Sequence, residues 1–575
     1  MFLRRLVEYS HSPQVKMPPV MYTKTPVAWL IDLAPDGTFL GFVRMTGEGR
    51  RADRGKELFA PDCGRRTVGI KARLLCDNGS YILGLVAEGK KAPRAEQAHA
   101  SFVELIQRCA EETGLDEVKA VVRFLGTLAT SPPPIPEDLD PSQNITFRIS
   151  DRIVVDMPEI EDWWASYIAG VSEESNQCVI CGKRKPCLDR HPVGIKRIPG
   201  GQPAGMAMIS ANADAFESYG LSASLIAPTC RDCAERYAKS LNELLASESH
   251  SYRIGKTAFI FWTREEPKFN VLSFLTQPDE EQVKELVRSA RTGKQQSAID
   301  ANAFYAAALS ASGGRVVVRD WVETTVPNVQ SNLARWFRRQ GMVDAWGGEG
   351  RRLGVFPLVA SLYRDARRDI VEEVSRLLIK SALTGSPIPD YLLYQAIKRM
   401  KADPNPVRNN REDSFTLYAR IMLIRLVLNS HPDKEEDYMN KLDTENRDPA
   451  YLCGRLLAVL ESIQRTAVPG AKATLIDRYY GSASSAPASV FGTLMRGAQA
   501  HLAKLRKEKE GAYVALQKRI EGICSELPER FPATLSMKQQ ALFALGYYHQ
   551  RADDRASMRA HLEEKDETES GETTE

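Results

Sequence analysis

The sequence predicts an α+β protein in which a mixed α/β part, residues 1–345, precedes an all-α helical bundle, residues 346–560. Short apolar runs bounded by turn residues occupy much of the first part, which is typical of strands. Two Cys-x-x-Cys pairs predict a metal-stapled region at 172–250 within it. Beyond 345, apolar residues recur at three- and four-residue spacing, which is typical of helices. At 575 residues the chain is too long for one core, so several domains are expected.

Composition limits the classes of function. Hydrophobic residues make up 43% of the chain and charged residues 26%, as in ordinary globular proteins. The N-terminus reaches charge again before a signal-peptide core can form, and no apolar run is long enough to cross a bilayer. We therefore expect a soluble, cytoplasmic protein without a membrane partner. The 77 basic residues are nearly balanced by 74 acidic ones, so a nucleic-acid surface must be local.

Two β-hairpins are predicted early in the chain. Residues 27–33 and 38–45 flank Pro35-Asp36-Gly37, and the runs 67–75 and 81–86 flank Asp77-Asn78-Gly79. Both turns contain residues that tolerate positive φ.

The segment 47–56 lies between these hairpins and combines glycines with Arg50, Arg51 and Arg54. It predicts a mobile basic loop that could contact phosphate groups.

Alternating helical and strand signals complete the mixed part. After the proline run 132–134, which marks a boundary, the pattern continues towards the bundle. The predicted elements are helices at 96–108 and 280–291 and strands at 145–155, 253–262 and 315–322.

The bundle is predicted from eight amphipathic segments separated by proline-containing turns. Residues 561–575 are acidic and predict a disordered tail. The eight segments are 356–363, 370–383, 389–400, 416–428, 451–464, 490–505, 513–526 and 538–548.

Cys178, Cys181, Cys230 and Cys233 carry the most definite chemistry in the sequence. Two Cys-x-x-Cys pairs separated by about fifty residues are typical of a tetrahedral zinc site. With four protein ligands the site is closed, so structural zinc is expected rather than a catalytic ion. Cys187 or His191 could replace one ligand. The remaining cysteines are scattered, which argues against a disulfide framework.

Six blocks of sequence resemble the large subunit of the subtype I-C CRISPR Cascade surveillance complex. They occur in order and span nearly the whole chain. The blocks are CDNGSYILG (76–84), SANADAFESYG (210–220), GRVVVRDWVETTVPNVQSNLARWF (314–337), YLCGRLLAVLESIQ (451–464), IDRYYGSASSAPASVFGTLM (476–495) and FPATLSMKQQALFALGYYHQR (531–551).

The resemblance implies a role in antiviral defence within a ribonucleoprotein complex. It implies binding to a CRISPR RNA, Cascade backbone subunits, the subunit that holds the guide 5′ end, and small subunits. It also implies recognition of the protospacer-adjacent motif in target double-stranded DNA, R-loop formation, contacts with the displaced non-target strand, and recruitment of a helicase-nuclease.

The resemblance further implies that the part from about residue 440 is also made separately, by internal translation, as the small subunit. Met439 is one candidate start.

A first group of candidate DNA-binding residues surrounds the second predicted hairpin. A narrow polar tip with cations behind it suits entry into a groove of the duplex. An Asn-Gly pair is equally a way to close a hairpin. Asn212, in the SANADAFESYG block, could bind an adenine edge or act as a turn or helix cap. The group consists of Lys71, Arg73, Asn78, Gly79, Ser80 and Asn212.

A second group holds cations that could contact the phosphate backbone. Solvated surface charge is the alternative for each of them, and Trp336 and Phe337 beside the arginines at 335–339 are expected in the core. Besides Arg50, Arg51 and Arg54, the group is Lys183, Arg184, Lys185, Lys196, Arg197, Arg335, Arg338, Arg339, Lys504, Arg506 and Lys507.

Catalytic motifs are not evident, so we expect no enzymatic activity. Gly255-Lys256-Thr257 has the end of a P-loop, but His250 stands where the P-loop needs a glycine. A His-Glu-x-x-His pair does not occur among the eight histidines. The alternatives left open are a metal-dependent nuclease built from scattered carboxylates and a zinc-stapled scaffold that binds only proteins.

Overall fold

A computed structural model describes residues 2–13, 15–47, 54–63, 69–87, 89, 91–169, 175–211, 213–266, 269–291, 302–408, 411–431, 439–471 and 473–571. The chain forms two compact units. The first unit contains Met1–Arg197, Gly201–Ala246 and Ser312–Val317, and the second contains Ile198–Gly200, Ser247–Ala311 and Val318–Glu575.

The strands lie mainly in the N-terminal half. They are β1 Tyr22–Val27, β2 Trp29–Leu33, β3 Phe39–Arg44, β4 Lys56–Pro61, β5 Cys76–Asn78, β6 Asn144–Ile149, β7 Arg152–Ile153, β8 Asn176–Gln177, β9 Arg184–Lys185, β10 Ser251–Ile254, β11 Thr257–Thr263, β12 Ala303–Ser312, β13 Arg315–Thr325, β14 Val407–Arg408 and β15 Arg411–Glu412.

Helices dominate the C-terminal half. They are α1 Phe2–Ser10, α2 Gly79–Ile82, α3 Ala92–Thr113, α4 Asp116–Thr127, α5 Pro158–Ala169, α6 Arg231–Ala246, α7 Val271–Thr276, α8 Glu280–Arg291, α9 Val326–Gln340, α10 Val355–Ala360, α11 Ala366–Asp369, α12 Glu372–Thr384, α13 Asp390–Ala402, α14 Ser414–Ser430, α15 Pro449–Ala467, α16 Leu475–Ala483, α17 Pro487–Glu508, α18 Glu510–Glu526 and α19 Met537–Gly571. The predicted α+β class is confirmed.

The first unit is built on a sheet of order β3-β2-β6-β5, with β7 paired to β6. Strands β2 and β6 run parallel, and Ile31 lies opposite Phe147. Helices α3 and α4 bury Phe102 and Phe124 in the same core as these strand residues. The first predicted hairpin is confirmed, since β2 and β3 are antiparallel. Its Gly37 has φ +90°, and a Cβ there would lie 2.7 Å from the Ala120 carbonyl oxygen, so only glycine fits this turn.

The second predicted hairpin is wrong. Strand β5 ends at Asn78 and pairs with β6, and a short helix, α2, follows at once. The Asn78 side chain accepts hydrogen bonds from the backbone N–H groups of Ser80 and Tyr81, so it is a helix cap. Asp77 is fully buried and accepts from the backbone N–H of Arg73 at 2.9 Å. These side-chain bonds to the backbone replace the hairpin ladder.

A four-stranded sheet of order β10-β11-β12-β13 belongs mostly to the second unit. The single strand predicted at 253–262 is two strands, because the chain turns at Gly255, whose φ is +58°. On one face, Phe259 and Phe304 share a core with Leu333 of α9 and Leu378 of α12. Because the sheet and the helices bury their apolar faces together, the units divide near residue 246 and not at the predicted 345.

The helices after residue 440 pack mainly around α15. This helix is buried along most of its length and contacts α16, α17, α18 and α19. In the described part of the chain, no helix has both the length and the apolar run needed to cross a membrane.

The end of the chain differs from the predicted disordered tail at 561–575. Helix α19 begins at Met537 and continues to Gly571. Phe543 and Tyr547 bury its first half in the core, and extending a helix that is already packed adds one hydrogen bond per residue fixed. Residues 572–575 lie outside the described residues.

The crossing of α15 and α19 requires two glycines. A Cβ at Gly454 would lie 2.1 Å from the Phe543 carbonyl oxygen, and one at Gly546 would lie 2.2 Å from that of Tyr451. We expect Gly454→Ala to reduce the free energy of unfolding of the second unit by at least about 1–3 kcal/mol, because the helix backbones must separate.

Gly497→Ala is the matched control for this prediction. Gly497 is an exposed glycine of α17, and a Cβ there meets nothing within 4 Å. This variant should gain about 0.5–1 kcal/mol from helix propensity. Urea unfolding followed by circular dichroism measures both changes, and equal stability of the Gly454→Ala variant and the wild type would contradict the close crossing.

Candidate metal centre and surrounding cations

The first cysteine pair lies on the tight turn between β8 and β9. The Cys178 N–H donates to the Lys183 carbonyl at 3.0 Å, and the Gly182 N–H donates to the Cys178 carbonyl at 2.9 Å. Gly182 has φ +74°, a conformation that glycine adopts at no steric cost. The turn therefore holds both sulfurs on one side.

The second cysteine pair lies at the start of α6. Cys230 immediately precedes this helix and Cys233 is in its first turn. The Cys230 N–H donates to the Cys178 sulfur at 3.4 Å, and the Val179 N–H donates to the Pro228 carbonyl at 2.9 Å. These two hydrogen bonds hold the two cysteine pairs together without a metal ion.

All four sulfurs converge. The Sγ atoms of Cys178, Cys181, Cys230 and Cys233 lie within 4.8 Å of one another, and those of Cys181 and Cys230 are 4.0 Å apart. Zinc–sulfur bonds of about 2.3 Å in a tetrahedron place sulfurs about 3.8 Å apart. Three of the thiols are buried and Cys181 is exposed. The donor set and its spacing fit zinc.

The pKa values of Cys230 and Cys233 are shifted in opposite directions. Hydrogen bonding from the Cys233 thiol lowers the pKa of Cys230 to about 5. The same hydrogen bond raises the pKa of Cys233, which acts as the donor. One thiolate is thus already favoured at neutral pH, and a cation at the centre would stabilise the remaining three.

Cys187 and His191 are not members of this cluster. Among the described residues, the group with metal-ligand geometry consists of the four predicted cysteines. The Cys187 thiol donates to the carbonyls of Asn176 and Lys185 at 3.7 and 3.5 Å. His191 Nδ1 lies 2.5 Å from the Tyr237 hydroxyl, and burial lowers the pKa of His191 to about 4. The structure therefore favours the quartet without substitution.

A zinc ion held by four thiolates would have no open position for water or substrate. It would fasten the β8–β9 hairpin to the N-terminus of α6, which is buried through Tyr237, Leu241 and Leu245. The expected function of the centre is to stabilise the first unit.

Exposed cations follow the first cysteine pair in the sequence, and two other cations line a cleft beside it. Lys183, Arg184, Lys196 and Arg197 are exposed, and Lys185 is half-buried. Sequence reasoning missed Arg4 and Arg5 of α1, which line a cleft of about 410 Å³ together with residues 179–182. Glu8 pairs with both arginines, at 3.2 and 2.7 Å. The only available signal was the strongly amphipathic pattern of residues 2–10.

The predicted DNA-reading group does not form a projecting tip. Lys71 is exposed, whereas Arg73 is half-buried and Gly79 is buried. The Ser80 hydroxyl donates to the Leu85 carbonyl at 2.7 Å. A role in DNA binding stays a prediction for these residues, in a geometry other than a hairpin.

Three predicted site residues, Arg50, Arg51 and Asn212, lie outside the described residues. Arg54 is described and exposed.

The arginines of α9 flank a buried aromatic pair. Trp336 and Phe337 are 5% and 1% exposed, which confirms that they belong to the core. Arg335 and Arg338 are exposed, and Arg339 is half-buried. These cations lie at the surface because the helix turns its apolar stripe inward.

Exposed cations also mark the end of α17. Lys504, Arg506 and Lys507 are all exposed. Lys504 Nζ donates to the Ala467 carbonyl at 2.8 Å and lies 3.8 Å from Glu508. Arg506 and Lys507 are the better placed for a partner.

Comparison with known proteins gives one match that spans nearly all of these elements. A family model described as CRISPR-associated protein (Cas_Csd1) matches residues 4–554. Among curated proteins, none matches the chain. The matched range includes most of both units and all six blocks that predicted the resemblance, and it supports a place in a Cascade-type complex. The chain therefore belongs to the Cas_Csd1 family of CRISPR-associated proteins.

Proposed function

We propose that the chain is the non-catalytic large subunit of an RNA-guided Cascade complex of subtype I-C. In this role it recognises the protospacer-adjacent motif in double-stranded DNA, helps to form the R-loop, holds the displaced strand and supports recruitment of the helicase-nuclease. The family match over residues 4–554 is the observation that carries the proposal.

Exposed cations in both units support nucleic-acid contacts. Lys183 and Arg184 project from the cysteine turn in the first unit, and Arg506 and Lys507 from α17 in the second. Each cation that neutralises a phosphate releases a counterion and so strengthens binding at low salt. Because the net charge is only +3, such local groups must supply the attraction.

The helices after residue 440 support the idea of a separate small product. Their principal packing partner is α15, which begins at Pro449, ten residues after Met439. A product that starts at Met439 would retain the whole group from α15 to α19. It would form the small subunit of the same complex.

A closed four-thiolate centre supports a recognition role over hydrolysis. Metal-dependent nucleases need carboxylate or histidine ligands and open coordination positions. In the described part of the chain, the cluster with metal-ligand geometry contains cysteines alone. Catalysis is left to the recruited helicase-nuclease.

Co-expression of the chain with its neighbouring genes tests the proposal. We expect an affinity-tagged chain to purify with a guide RNA, the other Cascade subunits and a helical product that begins near residue 440. Mass spectrometry of the smallest band identifies that product. A preparation without RNA or partner subunits would contradict the proposal, and only full-length chain in every host would contradict the internal product.

The same complex allows a quantitative test of the phosphate contacts. We expect Lys183→Ala with Arg184→Ala to weaken binding to target duplex. A plot of log K against log salt has a negative slope, and its magnitude should decrease by about 1 for each phosphate that is no longer neutralised. Lys119→Ala is the control, because Lys119 is an exposed cation of α4 that was not predicted to bind DNA. An unchanged slope in the double variant would show that these residues only solvate the surface.

Two observations would favour the alternatives. Cleavage of DNA by the purified chain with a divalent metal, without the helicase-nuclease, would indicate a nuclease. Assembly with protein partners but no salt-dependent affinity for DNA would indicate a scaffold.

A further inference from the structure

The described part of the SANADAFESYG block, residues 210, 211 and 213–220, belongs to a loop that is fixed at its base. The Ala211 N–H donates to the Ala223 carbonyl at 2.8 Å, and the buried Ser224 hydroxyl donates to the Ile209 carbonyl at 2.9 Å. Ala207 exchanges backbone hydrogen bonds with Gly314 and Val316, at 3.0 and 2.9 Å. The segments that enter and leave the loop are therefore held in place.

The tip of this loop presents a tyrosine in an unfavourable backbone conformation. Tyr219 and Gly220 have φ of +56° and +71°, and the Leu221 N–H donates back to the Ser218 carbonyl at 3.0 Å. Two successive positive φ values are typical of a type I′ turn, whose first central position favours asparagine, aspartate or glycine. A tyrosine there is strained, and fold stability gives no reason for it.

The ring gains nothing in packing to offset that strain. Tyr219 is 101% exposed, the highest value among the large hydrophobic residues described, while most other tyrosines of the chain are at least partly buried. A fully exposed aromatic ring on a residue with positive φ, at the tip of an anchored loop, points to a role in binding a partner, because strained residues cluster at functional sites.

Other side chains of the loop and of β13 indicate which chemical class of partner would bind here. Phe216, on the same loop, is 54% exposed, and the Arg315 guanidinium lies 4.4 Å from its ring centre. Asp214 and Glu217 are exposed carboxylates on the same loop. Rings stack on nucleobases, arginine also stacks on them or binds phosphate, and carboxylates accept hydrogen bonds from exocyclic amino groups.

We propose that Tyr219 stacks on an unpaired nucleobase of single-stranded DNA, with Phe216 and Arg315 extending the stacking surface. The inference rests on the proposed function, since it names a contact within a DNA-binding subunit. The carboxylates of Asp214 and Glu217 favour bases that carry an exocyclic amino group, so cytosine, adenine and guanine bind better than thymine.

Variants at Tyr219 separate binding from folding. Glycine and asparagine suit its positive φ, so Tyr219→Gly and Tyr219→Asn keep the turn and should not reduce thermal stability. In the complex purified after co-expression, both should weaken affinity for a dC-rich oligonucleotide by about 5- to 150-fold, the range expected when one base no longer stacks on a ring. Tyr219→Phe keeps the ring and should stay within about 2-fold of the wild type.

Photo-crosslinking identifies the part of the protein that contacts the base. A dC-rich oligonucleotide in which iodinated deoxycytidine replaces single cytosines should photo-crosslink to the peptide that contains Tyr219, as mapped by mass spectrometry. Tyr394→Ala is the control, because Tyr394 is a half-exposed tyrosine on α13, and this variant should bind as the wild type does.

The possible results distinguish failure of the stacking inference from failure of the proposed function. If the wild-type complex binds single-stranded DNA and Tyr219→Gly binds it equally, the stacking inference is wrong while the proposed function stands. If Tyr219→Gly fails to assemble with the other subunits, the loop is a protein interface, and the inference is again wrong. If the wild-type complex binds no DNA, the proposed function fails as well.

Discussion

A chain that carries Cys230→Ser is expected to purify with well under one zinc ion and with a disordered first unit. Cys230 lies at the centre of the quartet: its sulfur is 4.0 Å from that of Cys181, and its N–H donates to the Cys178 sulfur. The apparent free energy of structural zinc binding, about 10–16 kcal/mol in small zinc domains, rivals the whole stability of a domain. Losing one ligand therefore removes a contribution as large as the net stability of a typical domain.

Elemental analysis and limited proteolysis measure the two consequences. The wild type should hold about one zinc per chain and resist cleavage within residues 1–246, whereas the variant should be cut there. Cys187→Ser is the matched control, because Cys187 forms a backbone bridge with Cys230 but its thiol donates only to carbonyls. One zinc per chain in the Cys230→Ser variant, or well under one in the wild type, would exclude a four-cysteine zinc centre.

The sequence predicted this centre because its chemistry is local. Each Cys-x-x-Cys pair needs only a tight turn, and the turn at Gly182 supplies it without help from distant residues. The same reason explains why α8 was predicted with the bounds it has, Glu280–Arg291, and why Trp336 and Phe337 were placed in the core. A periodic apolar stripe determines which face of a helix is buried.

Predictions failed where hydrogen bonding or burial of a side chain overrides the structure that the local sequence pattern favours. Asp77-Asn78-Gly79 matches a hairpin turn, yet Asn78 caps a helix because Asp77 is buried and fixes the preceding segment. Burial of a side chain is a tertiary property, and a local pattern does not contain it. The boundary at 345 failed for a related reason, since strands β10 to β13 share a core with helices far along the chain.

The sequence pattern did not single out Tyr219 as a candidate for the proposed stacking contact. In the sequence it is one aromatic residue within a block rich in small residues. Only the backbone shows that the residue has a positive φ and that its ring lies in solvent. A residue that is unfavourable for the fold becomes visible as a functional candidate once its conformation is known.

Glu461→Gln is expected to destabilise the second unit by about 3–5 kcal/mol, the usual cost of breaking a buried ion pair. Glu461 is 1% exposed on α15 and lies among donors from its own helix and from α19. The Tyr547 hydroxyl donates to Oε2 at 2.8 Å, and Arg465 donates to Oε1 at 2.9 Å. Arg551 lies 3.5 Å from Oε2 and is itself largely buried.

The substitution keeps the shape of the side chain but removes its charge. An amide would place N–H groups opposite one set of donors and would leave Arg551 without its buried counter-charge. Glu508→Gln is the control, since Glu508 is an exposed residue of α17 that lies 3.8 Å from Lys504, and its loss should change stability by less than about 0.5 kcal/mol. Urea unfolding at neutral pH compares the two variants, and equal small effects would show that the buried network contributes nothing.

The pH dependence of the same pair of proteins isolates the charge. Burial raises the pKa of Glu461, but the nearby Arg551 and Arg465 and the hydrogen bond from Tyr547 outweigh it, so the pKa lies below its usual 4.5. A carboxylate whose folded-state pKa is lowered contributes stability above its unfolded pKa and loses that contribution as the pH falls through the folded value. The difference in free energy of unfolding between the wild type and Glu461→Gln should therefore be constant above pH 4.5 and should shrink as the pH falls below it. A difference that persists unchanged in acid would mean that the effect of the substitution is one of packing, because only the ionised form of Glu461 can pair with Arg551.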